Sequence, residues 1–126
     1  ENSMKYTGLI IAVVAAIFLL SRSRGGYKSI SQQEAKQMMD SGNVLVLDVR
    51  EQDEYSTGHI GGAVLFPVGT INADTASKVI PSKDATVLVY CRSGNRSKKA
   101  SAALAKLGYT NIYEIGGITT WPYGVE

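Results

Sequence analysis

The sequence predicts an α/β protein in which a central parallel β-sheet is flanked by helices on both faces and preceded by an N-terminal hydrophobic helix. Residues 44–47 are apolar throughout and residues 86–90 are apolar after Thr86, as is typical of strands buried on both faces of a sheet. Residues 97–107 instead carry apolar side chains at helical spacing, and residues 8–20 form an almost unbroken apolar run. Strands that alternate with helices favour a parallel sheet, and such sheets bind ligands beyond the carboxyl ends of their strands.

The composition fits one folded domain within the 126 residues. The formal net charge of +2 is too balanced for a nucleic-acid-binding arm, and a hydrophobic content of 44% is too high for a disordered chain. The single cysteine, Cys91, excludes an intrachain disulfide and a multi-cysteine zinc site. We therefore expect no nucleic-acid partner, no metal and no cofactor.

The N-terminal segment, residues 1–22, is interpreted as a membrane anchor or a signal segment. Residues 6–21 carry no charge, and as a helix they would be about 24 Å long against a hydrocarbon core of about 30 Å. The flanking Lys5 and Arg22 can extend their charged ends to the headgroups, which makes a span feasible. A cleaved signal peptide is the alternative, although arginines stand where small residues would favour cleavage. A buried core helix is a third interpretation, although the segment lacks a polar face.

Charge around the apolar run predicts its orientation. Residues 1–28 carry four bases and one acid, a sum of +3, whereas residues 29–126 carry nine bases and ten acids, a sum of −1. More positive charge follows the run than precedes it, so the positive-inside rule places the C-terminal domain in the cytoplasm, with export by a signal peptide as the alternative. Residues 23–28 form a polar linker to the folded domain at residues 29–126.

The first elements of that domain follow from local signals. A capping-box spacing from Ser31 to Glu34 predicts a helix to about Asp40, ended by Gly42. Its inward residues are Ala35, Met38 and Met39. Residues 44–47 then form the first buried strand.

The later elements alternate in the same way. Residues 63–66 form a second apolar segment, residues 70–79 are weakly helical, and residues 81–83 form a turn before the strand at 86–90. The helix at 97–107 is ended by Gly108, and the last strand is predicted over 111–115.

The only cysteine follows the strand at 86–90 and precedes a short polar loop that leads into a helix. Its thiol should therefore lie at the carboxyl edge of the sheet, above a helix N-terminus whose free amides and dipole favour a reactive thiolate. Arg92, Arg96, Lys98 and Lys99 place four positive charges within eight residues, which suits an anionic substrate. A free cysteine is more often a small buried hydrophobe, and the two lysines fit a solvated helix face, but the polar loop favours a reactive Cys91.

Three separate segments resemble the rhodanese domain family over about residues 29–126. Residues 47–50, 54–55 and 58–63 resemble the upstream signature of the family, and residues 91–97 resemble its active-site loop. The C-terminal resemblance lies in residues 108–113 and 116–118 and in Trp121.

The resemblance implies a sulfurtransferase in which Cys91 is the nucleophile and persulfide carrier. Sulfane sulfur would come from thiosulfate or a persulfide donor, a small anion, and pass to cyanide or a thiol, or to a protein acceptor. Arg92 and Arg96 would hold the anionic oxygens of the donor. The loop amides would surround the outer sulfur, and the loop consists of Arg92, Ser93, Gly94, Asn95, Arg96 and Ser97.

Two alternative functions stay open. The domain could be a slow sulfur-relay or binding module at the membrane, reached through residues 6–21. A phosphatase or arsenate reductase is a weaker alternative, because those folds resemble Cys-x5-Arg whereas Cys91 and Arg96 follow Cys-x4-Arg. The shorter loop should enclose a pocket better suited to one sulfur atom than to phosphate.

Further features have a structural interpretation, and most also have a functional one. Asp48 and Arg50 follow the first strand and either support the active-site loop or form a structural ion pair or turn, which we favour. His59 and Trp121 are interpreted as structural, with a general base and a substrate contact as their respective alternatives. The glycine pair 116–117 is interpreted as a turn that requires positive φ.

Overall fold

Five parallel strands organise residues 26–126, the part of the chain that the computed structural model describes. Their order in the sheet is β1-β5-β4-β2-β3, which puts β4 at the centre. The strands are β1 (Lys28–Ser29), β2 (Leu45–Asp48), β3 (Val64–Leu65), β4 (Thr86–Cys91) and β5 (Asn111–Gly117). The predicted parallel sheet is confirmed.

Four helices and two short 3₁₀ helices connect the strands in the described region. The helices are α1 (Gln32–Ser41), α2 (Gln52–Thr57), α3 (Ala73–Val79) and α4 (Asn95–Lys106), and the 3₁₀ helices are Val68–Thr70 and Ile118–Thr120. None of the helices within residues 26–126 has the length and apolar character that a bilayer span requires. The expected hydrophobic helix and the membrane segment at 6–21 lie outside the described residues.

Alternation along the central strands divides the core between the two faces of the sheet. In β4, Val87 and Val89 face the side covered by α3 and α4, whereas Leu88 and Tyr90 face the side covered by α1. The first side also buries Leu47, Val49, Ala76, Ala100 and Leu104, and the second buries Ala35, Val46, Ile60, Ile115 and Trp121. Both faces of the sheet are therefore covered, as the continuous apolar runs predicted.

The local signals for α1 are confirmed. Ser31 Oγ accepts a hydrogen bond from the Glu34 N–H at 3.0 Å, which satisfies one free donor of the first turn. Gly42 ends the helix with φ +83°, in the region that favours glycine. Ala35 is fully buried, and Met38 and Met39 pack beside it.

Several boundaries differ from the prediction. Lys28, assigned to the linker, belongs to β1 and pairs with Tyr113 of β5. Helix α4 begins at Asn95, two residues earlier than the apolar pattern indicated, because Asn95 and Arg96 are polar and add nothing to that pattern. Residues 70–79 divide into the end of a 3₁₀ helix and α3, which begins after an Asn72 cap.

Helix α2 was not predicted, because its six residues lack apolar periodicity. It forms on a capping box, in which the Glu51 and Glu54 side chains each accept from the other's backbone N–H. Its place directly after β2 puts α2 near the carboxyl edge of the sheet, where β2, β4 and β5 end at Asp48, Cys91 and Gly117.

Candidate active site

Cys91 is the last residue of the central strand β4 and is 1% exposed. It lies on the face covered by α4, whose first turn begins four residues later. Gly94 caps that helix with φ +110°, a left-handed conformation that a residue with a Cβ atom adopts only with strain. The tight turn brings the N-terminus of α4 over the thiol.

The thiol has hydrogen-bond partners in the loop and in the first turn of α4. The Gly94 N–H donates to Cys91 Sγ at 3.1 Å, and the thiol donates to Ser97 Oγ at 3.4 Å. Burial opposes ionisation and is the largest single influence on the pKa of the thiol. The hydrogen bond with the Ser97 hydroxyl and those from the N–H groups of Ser97, Gly94 and Ser93 together outweigh it, so the pKa of Cys91 lies below its ordinary value.

Ser97 connects the thiol to a buried carboxylate. Its hydroxyl donates to Glu114 Oε1 at 2.7 Å, and Glu114 is only 4% exposed. The same carboxylate accepts the Gly116 N–H at 2.8 Å and the Ser29 hydroxyl at 3.3 Å. Glu114 therefore ties the first turn of α4 to β5 and β1, beneath Cys91.

A bulge between β4 and β5 shapes this side of the site. Val89 pairs with Glu114 and Cys91 with Gly117, so two steps along β4 correspond to three along β5. Gly116, at φ +87°, takes up the extra residue; its positive φ agrees with the prediction, but the glycine pair ends β5 at a bulge and does not form the predicted turn.

Gly117 is needed for a different reason from the one we expected. Its φ of −128° is ordinary extended backbone. However, a Cβ atom there would lie 2.1 Å from the Arg92 carbonyl oxygen and 2.6 Å from Ser93 Cα. The same Arg92 oxygen accepts the Thr119 N–H at 3.2 Å and its hydroxyl at 3.1 Å. Residues 117–119 thus hold the active-site loop by close backbone approach.

The two loop arginines differ in their surroundings. Arg92 is exposed and forms no ion pair within residues 26–126. The side chains of Lys98 and Lys99 are also exposed. Arg96 instead forms a forked ion pair with Glu54 of α2, through Nη1 to Oε1 at 2.7 Å and Nη2 to Oε2 at 2.9 Å. Arg96 lowers the pKa of Glu54 to about 2, so the pair is ionised at neutral pH.

Asp48 and Arg50 form a buried ion pair at the end of β2. Arg50 Nη2 lies 2.6 Å from Asp48 Oδ2, and Asp48 also accepts the Tyr90 hydroxyl at 2.7 Å. Burial and this bond to Asp48 raise the pKa of Tyr90. Arg50 Nη2 also donates to the Gly58 carbonyl at 2.7 Å, and the Ile60 N–H donates to Tyr90 Oη at 3.0 Å. The pair therefore joins β2, β4 and the segment after α2, as a structural ion pair would.

His59 and Trp121 have structural surroundings. The His59 ring stacks on Tyr55 with centroids 3.9 Å apart, and its Nδ1 lies 3.1 Å from the Tyr55 carbonyl oxygen. Trp121 is 9% exposed in the core on the α1 side of the sheet. Within residues 26–126, no three side chains of His, Cys, Asp or Glu converge as metal ligands.

Two acidic residues of the site were missed by sequence reasoning. Glu114 could have been found, because strand alternation places it with Ile112 on the buried face of β5. Glu54 stands 42 residues before Arg96, and nothing local in the sequence indicates their contact.

Comparisons with known proteins agree with this geometry. Residues 31–122 match the rhodanese-like domain family. The chain is 33% identical over 96 residues to "Thiosulfate sulfurtransferase GlpE" of Coxiella burnetii, an alignment that covers 75% of this chain and 87% of that protein. A solved structure described as a rhodanese with anions from E. coli superposes with a TM-score of 0.61 at 29% identity, covering 66% of this chain and 96% of that one.

A longer relative contains the same domain. The chain is 38% identical over 95 residues to "Probable adenylyltransferase/sulfurtransferase MoeZ" of Mycobacterium tuberculosis. That alignment covers 74% of this chain and 24% of MoeZ, so the chain spans about a quarter of that relative.

Proposed function

The chain belongs to the rhodanese-like domain family, and from this premise we propose that it is a sulfurtransferase that carries sulfane sulfur as a persulfide on Cys91. One observation carries the proposal: the thiol lies at the N-terminus of α4, 3.1 Å from the Gly94 nitrogen, and its pKa is lowered by hydrogen bonds. A lowered pKa increases the fraction of the thiolate, which attacks sulfur without a separate general base.

In the first half-reaction, the Cys91 thiolate attacks the sulfane sulfur of the donor. A sulfur–sulfur bond forms to Cys91, and the bond between the sulfane sulfur and the rest of the donor breaks. The leaving group departs with the electron pair, as sulfite from thiosulfate or as a thiolate from a persulfide. Because only 1% of Cys91 is exposed, the donor must present a narrow terminal sulfur.

In the second half-reaction, a thiophilic acceptor attacks the outer sulfur of the persulfide. Cyanide forms thiocyanate, or a thiolate forms a new persulfide, and the Cys91 thiolate leaves with the electron pair. The loop amides that lower the pKa of the thiol also stabilise this leaving group. The same sulfur atom is therefore attacked twice, first by Cys91 while it is part of the donor and then by the acceptor while it is the outer sulfur of the persulfide.

A sulfur-transfer assay tests the proposal. Protein treated with thiosulfate or an alkyl persulfide should gain the mass of one sulfur atom on Cys91 and lose it when cyanide is added, with thiocyanate as product. Cys91→Ser should abolish both events. The matched control is Ser101→Ala, since Ser101 is a buried α4 serine whose hydroxyl has no hydrogen-bond partner among residues 26–126. Full transfer by the Cys91→Ser variant would overturn the proposal.

We also propose that residues 6–21 attach the domain to a membrane with Cys91 on the cytoplasmic side. The support is the 16-residue uncharged run with more basic residues after it than before it. The full chain should sediment with membranes after alkaline washing, and protease should reach the domain only after cells are permeabilised. Recovery in the soluble fraction, or of a chain shortened at its N-terminus, would contradict the attachment.

A further inference from the structure

The Arg96 guanidinium, which the loop could offer to an anionic donor, is already paired with a carboxylate. Arg96 holds both carboxylate oxygens of Glu54 at 2.7 and 2.9 Å, and the two side chains are 33% and 27% exposed. The pKa of Arg96 is raised by Glu54 and further by the charges of Cys91 and Glu51. The ion pair with Arg96, a residue of the loop that follows Cys91, therefore brings the Glu54 carboxylate to the active-site loop.

Glu54 is fixed in this position from its own side. It is the third residue of α2, and its Oε1 also accepts the Glu51 N–H at 3.1 Å in the capping box. Turning away from Arg96 would give up a forked ion pair and a helix cap together. The carboxylate thus stays beside the site when a donor arrives.

Some of the charged side chains around Cys91 have an oppositely charged or hydrogen-bonded partner, and others do not. Arg96 is paired with Glu54, and Glu114 is a buried carboxylate under Ser97. Arg92 is the loop cation that has no ion pair within residues 26–126. A donor with one negative charge can be matched by that guanidinium, whereas the second charge of a dianion would find Arg96 already paired with the Glu54 carboxylate.

We propose that Glu54 is a specificity-determining residue that makes the site select sulfane-sulfur donors with a single negative charge, such as thiosulfonates or thiol persulfides, over dianionic thiosulfate. This inference rests on the proposed sulfur transfer through Cys91. The chemistry of the step is unchanged: the thiolate takes the sulfane sulfur, and sulfite leaves from thiosulfate or methanesulfinate from methanethiosulfonate. Each leaving group keeps the electron pair of the broken bond.

A matched pair of donors isolates the effect of charge. Thiosulfate and methanethiosulfonate both present a sulfane sulfur on a sulfonyl sulfur, but they carry two charges and one. The rate of Cys91 persulfide formation gives kcat/KM for each donor. A third donor to compare is 2-hydroxyethyl persulfide, an alkyl persulfide with an uncharged tail. The wild-type protein should prefer both singly charged donors to thiosulfate.

Glu54→Gln tests the residue, because glutamine can still accept the Glu51 N–H of the cap. We expect kcat/KM for thiosulfate to rise about tenfold and that for methanethiosulfonate to rise about threefold, because the electrostatic effect of removing one charge scales with the charge of the donor. A tenfold change corresponds to about 1.4 kcal/mol. Glu54→Ala should shift the ratio in the same direction, which guards against an effect peculiar to glutamine.

Asp74→Asn is the matched charge control. It also removes one negative charge, from an exposed pair with Lys78 in α3 whose side chains are 74% and 78% exposed. It should leave the ratio of the two donors unchanged. An unchanged or lowered thiosulfate preference in both Glu54 variants would overturn the inference while leaving sulfur transfer intact. Absence of a Cys91 persulfide with every donor would overturn the proposed function and this inference with it.

Discussion

Replacing Asp48 by alanine should destabilise the domain more than any other loss of a single ion-pair partner among the described residues. Asp48 is fully buried and accepts the Arg50 N–H at 3.0 Å, Arg50 Nε at 2.9 Å and Nη2 at 2.6 Å. It also accepts the Tyr90 hydroxyl at 2.7 Å. Arg50 is only 5% exposed, and the variant would leave its guanidinium without the carboxylate partner.

The size of the effect follows from this burial. Breaking a buried ion pair by removing one partner costs about 3–5 kcal/mol, because the remaining charge is left uncompensated. Arg50 keeps its bond to the Gly58 carbonyl at 2.7 Å, which offsets part of the loss. The Tyr90 hydroxyl loses its acceptor, which adds about 1–3 kcal/mol if no water replaces it. We therefore expect a total near 4 kcal/mol.

Urea unfolding followed by circular dichroism measures this loss. The control is Asp74→Ala, which breaks an exposed ion pair and should change the free energy of unfolding by less than about 1 kcal/mol. Sulfur transfer per folded molecule separates a structural from a loop-supporting role of Asp48. A loss below 1 kcal/mol in Asp48→Ala, equal to that in the control, would refute the reasoning.

Three other changes have expected outcomes. Ser97→Ala should raise the pKa of the active-site thiol, because the hydrogen bond between Ser97 and Cys91 that lowers it is lost; Ser101→Ala should not, and thiolate absorbance against pH distinguishes them. Gly117→Ala should lower sulfur transfer about 100-fold, since a Cβ 2.1 Å from a carbonyl oxygen must displace the loop by roughly 1 Å. Gly69→Ala, at a position with open space, should retain activity. The Glu54 carboxylate, with its pKa lowered from 4.5 to about 2, contributes stability above pH 4.5 that is lost as pH falls toward 2. The unfolding midpoints of wild type and Glu54→Gln should therefore converge in acid; a constant difference would contradict this.

Local sequence patterns were sufficient to predict much of the fold. The apolar runs of β2 and β4 indicated strands covered on both faces, and the Ser31 cap with Gly42 placed α1 to within one residue of its end. Helix α2 was missed because six polar residues on a capping box have no apolar stripe. β1 was missed because two residues carry no periodicity, and they become a strand only by pairing with β5.

The sequence alone indicated where the chemistry should lie, because a lone cysteine between a buried strand and a helix start is a local feature. Only the tertiary structure decided which charges surround that cysteine. Glu54 reaches Arg96 across 42 residues and Glu114 reaches Ser97 across 17, through contacts that exist only after the sheet assembles. The physical reason is that β2, β4 and β5 end at one edge of the sheet, which brings distant side chains within hydrogen-bond distance.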